Sequence, residues 1–175
     1  FGDQLLSAGQ SARLRRVLWI WLGLVAASIA FGILNVRLDW NGLEFAIAGM
    51  PFEITIYPPF LISVFIAVWL GPTWAAIPIY FANLASALAS GIELPLAALF
   101  AVAGVMETLM LWALVVAVRV DPDLPRGRDL AWFAGAGLVA AVTGSLAAIL
   151  WNSSHALDAF AGQRIWRGWV IGDLL

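Results

Sequence analysis

Apolar residues occupy this chain in long runs, broken by short stretches of Pro, Gly and charge. The runs cover about residues 17–34, 59–70, 73–90, 95–118 and 130–151, and a last one opens near Trp166 and continues to Leu175. Each is apolar on every side of a helix, not on one stripe, which is the pattern of a segment surrounded by lipid. The second run is short. It is opened by Pro58-Pro59, where proline suits the first helical turn, and it is ended by Gly71-Pro72. The third contains Pro78 and a row of small residues, Ala82, Ser86 and Ser90; Gly91-Ile92-Glu93 turns the chain and Pro95 opens the fourth. Residues 119–128, with two Pro and a Gly, read as a loop in which Arg126, Arg128 and Asp129 are solvated, and 152–165 read as a second loop. The expected fold is all-α: a polytopic transmembrane helical bundle of five full spans plus the start of a sixth. Residues 1–16 form a polar N-terminal segment and 17–175 the membrane domain, cut short at its C-terminal end.

Residues 35–56 break the pattern. Arg37, Asp39, Glu44 and Glu53 are too many charges for a lipid-facing helix, and Phe52-Glu53-Ile54-Thr55-Ile56 alternates with period two. Asn41-Gly42 is a turn signal between two such stretches. The segment reads as a small extracytoplasmic β-hairpin or as a re-entrant segment packed on protein.

Composition changes the picture in one respect: 63% of the 175 residues are hydrophobic and 11% charged, a balance that needs the bilayer as solvent. The 10 Trp gather near run ends, where their rings sit at a membrane interface. The first run has no small-residue cleavage site behind it and reads as a span, not a signal peptide. Nine basic residues, all Arg, make no patch suited to nucleic acid. With no Cys and one His, thiolate metal sites, disulfides and His-cluster metal sites are excluded, and no cofactor is expected. With the N-terminus inside, Arg13, Arg15, Arg16, Arg119, Arg126 and Arg128 fall on the cytoplasmic side, and Arg37, Arg164 and Arg167 outside. Six against three favours that orientation, a multi-pass protein of a bacterial inner membrane with a cytoplasmic N-terminus.

No phosphate-binding Gly loop, metal spacing or nucleophile triad is visible, so catalysis is not expected. The informative groups are polar residues at membrane depth, which are costly in hydrocarbon and turned inward. Glu107 lies near the middle of the fourth run, roughly 20 Å from its outer end; Asn83 and Asp173 lie roughly 10 Å below the outer surface. Glu107 reads either as a ligand or proton site or as a hydrogen-bonded carboxyl holding helices together. Tyr57, Asn152, His155, Trp166 and Trp169 gather on the outer side, as the mouth of a pocket would. The plainer alternatives are interface anchoring for Tyr57 and the Trp residues, and a solvated side chain for His155. Asn152-Ser153-Ser154 also matches a glycosylation sequon, which matters only in a secreted eukaryotic context. Gly137, Ala141, Gly144 and Ala148 mark one face of the fifth run, a surface on which another helix can approach closely.

Tyr57-Pro58-Pro59, Leu70-Gly71-Pro72-Thr73-Trp74, Asn83-Leu84, Glu107 and Trp166-Arg167-Gly168-Trp169-Val170-Ile171-Gly172-Asp173-Leu174-Leu175, taken in order and spacing, resemble the membrane-associated sensor (MASE) family over about residues 55–175. The resemblance implies a bacterial inner-membrane input domain of about eight spans. Such domains precede a histidine kinase, a diguanylate cyclase, a cyclic-di-GMP phosphodiesterase or a phosphatase in the same chain. The positions it carries over are Tyr57, Pro58, Pro59, Asn83, Glu107, Trp169 and Asp173, with no general ligand attached. The charged 35–56 stretch departs from the family.

The leading expectation is therefore a sensory membrane domain that binds an unknown small ligand, or senses the state of the bilayer, and regulates a cytoplasmic effector in the same chain, as a homodimer. Its ligand-binding candidates are Tyr57, Pro58, Pro59, Asn83, Glu107, Asn152, His155, Trp166, Trp169 and Asp173. The alternative is the substrate-binding membrane subunit of a small-molecule importer, with Ala26 and Ala30 as a close-packing row in the first run. A purely structural scaffold assembled through the face of the fifth run ranks last, since it gives no reason to keep Glu107 and Asp173 in the bilayer.

Overall fold

The computed structural model describes residues 2–38, 43–47, 50–54, 57–121 and 123–154, with side chains over 12–38, 57–121 and 123–146. Five helices carry the described chain: α1 (Gly2–Arg37), α2 (Pro58–Leu70), α3 (Pro72–Ala89), α4 (Leu94–Ala117) and α5 (Gly127–Ser154). Prolines open α2, α3 and α4, where the missing N–H is one the first turn leaves unbonded anyway.

The expectation of five full spans plus the start of a sixth is corrected. Among the described residues, three helices are long and apolar enough to cross a membrane: Ala12–Arg37, Leu94–Ala117 and Gly127–Leu146. The 13 residues of α2 reach roughly 20 Å, short of a hydrocarbon layer of about 30 Å. The 18 residues of α3 are diluted by Pro78, Asn83 and hydroxyls. Residues 166–175, where a sixth span was expected to begin, lie outside the described residues. Residues 2–16 are helical and continuous with the rest of α1, so no structural break separates the polar N-terminal segment from the span.

Helix α3 packs against α1, α2 and α4, and α4 in turn packs against α5, giving a row α1–α3–α4–α5 with α2 laid against the first three. The middle of α1 meets the start of α3 through Trp21 and Trp74, and their ends meet at Gly32 and Ser86, so the two run parallel. Tyr57, just before α2, bonds Asn83 and Ser86 near the end of α3, so α2 runs back along it.

Small and polar side chains fill much of the interior, beside Phe60, Ile66, Ile79, Leu111 and Val115. Ala75, Ala82, Ala97, Ala101, Ala140, Ala141, Ser28, Ser63, Thr108 and Ser145 are buried, whereas Phe65, Trp69, Leu99, Leu138 and Val139 are exposed. In lipid, large apolar groups gain nothing by turning inward, and small ones let backbones approach. The buried hydroxyls of Ser63, Thr108 and Ser145 donate to carbonyls of their own helices. On α1 the buried positions are Ser28, Gly32 and Asn35, while Ala26 and Ala30 are exposed; the close-packing row expected at those two alanines is corrected.

Pro78 shows how the bundle satisfies a backbone carbonyl that a proline frees. It cannot donate to the carbonyl of Trp74, four residues earlier, so that oxygen loses its helical partner. The Trp21 indole Nε1–H of α1 donates to it at 3.0 Å, and the two rings meet edge to face at 5.1 Å.

The helix ends show two forms of one cap. At the end of α3, Ile92 N–H donates to Ala87 O and Gly91 N–H to Leu88 O, with Gly91 at φ 85. At the end of α4, Val120 N–H donates to Val115 O and Arg119 N–H to Val116 O, with Arg119 at φ 55. Both are left-handed caps of the Schellman type, and only the first has the glycine that suits it. The loop after α4 then tucks Val120 under the bundle's apolar core. Asp129 is buried in the first turn of α5, with Arg128 at 3.8 Å, and is not the solvated loop residue expected. A carboxylate there complements the positive end of the helix dipole.

Between α1 and α2, β1 (Leu43–Ile47) and β2 (Met50–Ile54) form a two-stranded antiparallel ribbon. The ladder pairs Leu43 with Ile54, Glu44 with Glu53 and Ile47 with Met50. Both strands follow Asn41-Gly42 in the chain, so that dipeptide precedes the first strand instead of joining the two as expected.

Candidate functional site

Across the middle of the row, three neighbouring helix pairs meet in the same way: a polar side chain of one helix fills the space a Cβ would need on a glycine of the next. The hydroxyl of Ser86 on α3 occupies that space at Gly32 on α1, where a Cβ would lie 2.7 Å from Ser86 Oγ and 2.8 Å from Ala82 O. The amide of Asn83, also on α3, sits against Gly104 on α4, where a Cβ would collide with Asn83 Nδ2. The carboxyl of Glu107 on α4 sits against Gly144 on α5, with a Cβ there 2.5 Å from Oε2 and 3.0 Å from Cδ. Each contact is possible only because glycine presents bare backbone.

Tyr57 joins the first two of these seats. Its hydroxyl donates to Asn83 Oδ1 at 2.6 Å and lies 3.2 Å from Ser86 Oγ, while Ser86 Oγ donates to Ala82 O at 2.9 Å. The third seat follows one helical turn along α4: Gly104 and Glu107 are three apart, and Thr108 donates to Gly104 O at 2.9 Å. The outcome is a polar seam that draws on all five helices, with Gly32 from α1, Tyr57 from the entry to α2, Ser86 and Asn83 from α3, Gly104 and Glu107 from α4, and Gly144 from α5. Glu107 is 1% exposed. The Arg residues among the described side chains are all exposed, so the seam contains a carboxylate and no guanidinium from them.

Of the sequence-predicted ligand-binding residues, the structure brings Tyr57 and Asn83 into direct contact and places Glu107 one turn from the glycine that receives Asn83. Pro59 is buried and its carbonyl accepts from Ser63; Pro58 is half-buried in the first turn of α2. Both shape the entry to that helix. The backbone of Asn152 lies in the last turn of α5, and its side chain lies outside those described. His155, Trp166, Trp169 and Asp173 lie outside the described residues. On the small face of α5, Gly144 receives Glu107 and Ala141 is buried, whereas a side chain at Gly137 would meet open space. Ala148 lies beyond the described side chains.

Three members of the seam escaped the sequence reading: Gly32, Ser86 as a hydrogen-bond partner, and Gly104. A signal existed for the last. Ala97, Ala101, Gly104 and Thr108 recur at helical spacing on the same side of α4 as Glu107, and all are buried. No acidic, His or Cys cluster suited to a metal ion occurs among the described residues.

No protein-family model, curated protein or solved structure matches the chain.

Proposed function

We propose that this membrane protein is the input domain of a signalling protein, and that the seam through Tyr57, Asn83, Glu107 and Gly144 is the element whose packing changes with the stimulus. Its three candidate spans and lipid-facing apolar surface mark it as a membrane protein. The observation that carries the reading is the seating of Glu107 against Gly144: a carboxyl is kept buried within the bundle at a helix contact where the bare backbone of a glycine makes room for it. Intramembrane carboxyl groups are expensive and are characteristic of functional sites. Close-packed contacts of this kind are bistable, shifting between discrete arrangements instead of deforming smoothly.

In this reading a small polar ligand, or a change in the bilayer, favours one arrangement of α3, α4 and α5, and a cytoplasmic effector in the same chain reads the difference. The domain itself is not catalytic. The membrane is the bacterial inner membrane and the N-terminus is cytoplasmic. Supporting that orientation, the alternation of the helices brings Arg13, Arg15, Arg16, Arg119, Arg126 and Arg128 to one end of the bundle and leaves Arg37 at the other.

The test is a thermal-shift screen of the purified chain in detergent against small polar metabolites, repeated with Glu107→Gln and Tyr57→Phe. The expected result is a compound that raises the melting temperature of the wild type and loses that effect in both variants. A screen whose compounds act equally on all three proteins, or on none, overturns the reading.

A further inference from the structure

From Ala12 to Ile20, α1 has no buried residue, and three of the nine arginines lie in that stretch. Arg13, Arg15 and Arg16 are exposed, and the sequence from Ala12 to Leu38 contains no acidic residue. The other basic segment at this end, Arg119, Arg126 and Arg128, is balanced by Asp121, Asp123 and Asp129. The three arginines of α1 thus concentrate positive charge within four residues, ten positions and more from Asp3, the one acidic residue of that helix.

Next to them is an apolar collar. Leu14 is 61%, Trp19 72% and Ile20 58% exposed. Trp69 at the end of α2, Trp74 at the start of α3 and Trp132 near the start of α5 are exposed at the same end of the bundle. Exposed Trp rings collected at one level mark a membrane interface. From Trp19, Arg16 is three residues and Arg13 six residues toward the N-terminus, roughly 4.5 to 9 Å along the helix axis. That is the depth of lipid phosphates, just outside the hydrocarbon.

We infer that Arg13, Arg15 and Arg16, with the collar of Leu14, Trp19 and Ile20, form a binding surface for anionic phospholipid head groups of the leaflet at this end. The collar holds the helix at a fixed depth in the acyl region, and the guanidinium groups reach the phosphates, for which their planar forks are suited. Charge complementarity selects the occupant: an anionic lipid offers the phosphate together with net negative charge, whereas a zwitterionic lipid offers no net charge. Each basic group near an anionic bilayer surface contributes about fivefold in binding, so three contribute on the order of 100-fold.

The experiment is native mass spectrometry of the full chain in detergent titrated with phosphatidylglycerol or with phosphatidylcholine of the same acyl chains. The wild type is expected to retain phosphatidylglycerol preferentially. The variant Arg13→Gln/Arg15→Gln/Arg16→Gln is expected to lose that preference and retain the two lipids equally. The variant Arg119→Gln/Arg126→Gln/Arg128→Gln is expected to keep it. Thermal unfolding without anionic lipid should be the same for the α1 variant and the wild type, since its arginines are exposed. Equal retention of the two lipids by the wild type overturns the inference, as does equal loss in the two variants. Displacement of the lipid by inorganic phosphate also overturns it, by assigning the surface to a free anion.

Discussion

Gly144→Ala is the substitution on which the reading of the seam can be tested most sharply. The added Cβ would lie 2.5 Å from Glu107 Oε2, 3.0 Å from its Cδ and 3.2 Å from its Cβ. The carboxyl end can rotate away, but Glu107 Cβ is fixed by the backbone of α4, so α4 and α5 must also separate by a few tenths of an ångström. Overpacking of this kind costs about 1–3 kcal/mol. The same helix provides the control, because a Cβ at Gly137 meets nothing within 4 Å. Gly137→Ala should therefore be neutral or stabilise by up to about 1 kcal/mol, the ordinary helix preference for Ala. Glu107→Ala removes the two nearest obstacles and keeps only the Cβ contact at 3.2 Å, so Gly144→Ala made in that background should lose part of its penalty. The double variant should then be about 0.5–2 kcal/mol more stable than the sum of the single changes predicts. SDS-induced unfolding in mixed micelles, followed by far-UV circular dichroism, measures all four proteins on one scale. Two results would refute the reasoning: Gly144→Ala behaving like Gly137→Ala, or its penalty persisting undiminished without the Glu107 carboxyl.

Further outcomes follow from other contacts. Tyr57→Phe removes the hydroxyl that donates to Asn83 and should cost about 1 kcal/mol in the same unfolding assay, since one hydrogen bond within the seam is lost. Trp21→Phe leaves Trp74 O without its donor and should cost about 1 kcal/mol; in a Pro78→Ala background, where the helix supplies its own donor, the same change should cost measurably less. Arg119→Gly relieves a left-handed backbone position occupied by a side chain and should raise stability by about 1 kcal/mol. Because the chain has no Cys, Glu93→Cys and Asp121→Cys are clean reporters; a membrane-impermeant thiol reagent applied to oriented vesicles should label them from opposite sides, and labelling of both from one side would exclude α4 as a span.

The hydrophobic runs and the proline and glycine signals at their edges located the helices, because helix formation and burial in lipid are both local demands on about 20 residues. Pro58-Pro59 and Pro95 open helices and Gly91 closes one for reasons that need no tertiary partner. The polar interior was legible in part. Asn83 and Glu107 stand out because a polar group in an apolar run is expensive wherever it points, and Tyr57 stands out by its place before two prolines. The glycines that receive them do not stand out, since a glycine in a membrane helix looks the same whether it meets a neighbour, as Gly144 does, or open space, as Gly137 does. The number of crossings was misjudged because an apolar run shows that a helix is lipid-compatible, not that it is long enough: α2 has only 13 residues.

On its own, the sequence determined the solvent of this protein, the positions of its helices and the rarity of charge within them, since each depends on composition over a few turns. Only the tertiary structure decided that Ser86, Asn83 and Glu107 each close on a glycine of the adjacent helix, and that the indole of Trp21 serves the carbonyl freed by Pro78. Those pairings join residues of different helices, from 21 to 54 positions apart, and depend on helix rotation and direction. No local pattern specifies those quantities, and close packing selects them only when the whole bundle assembles.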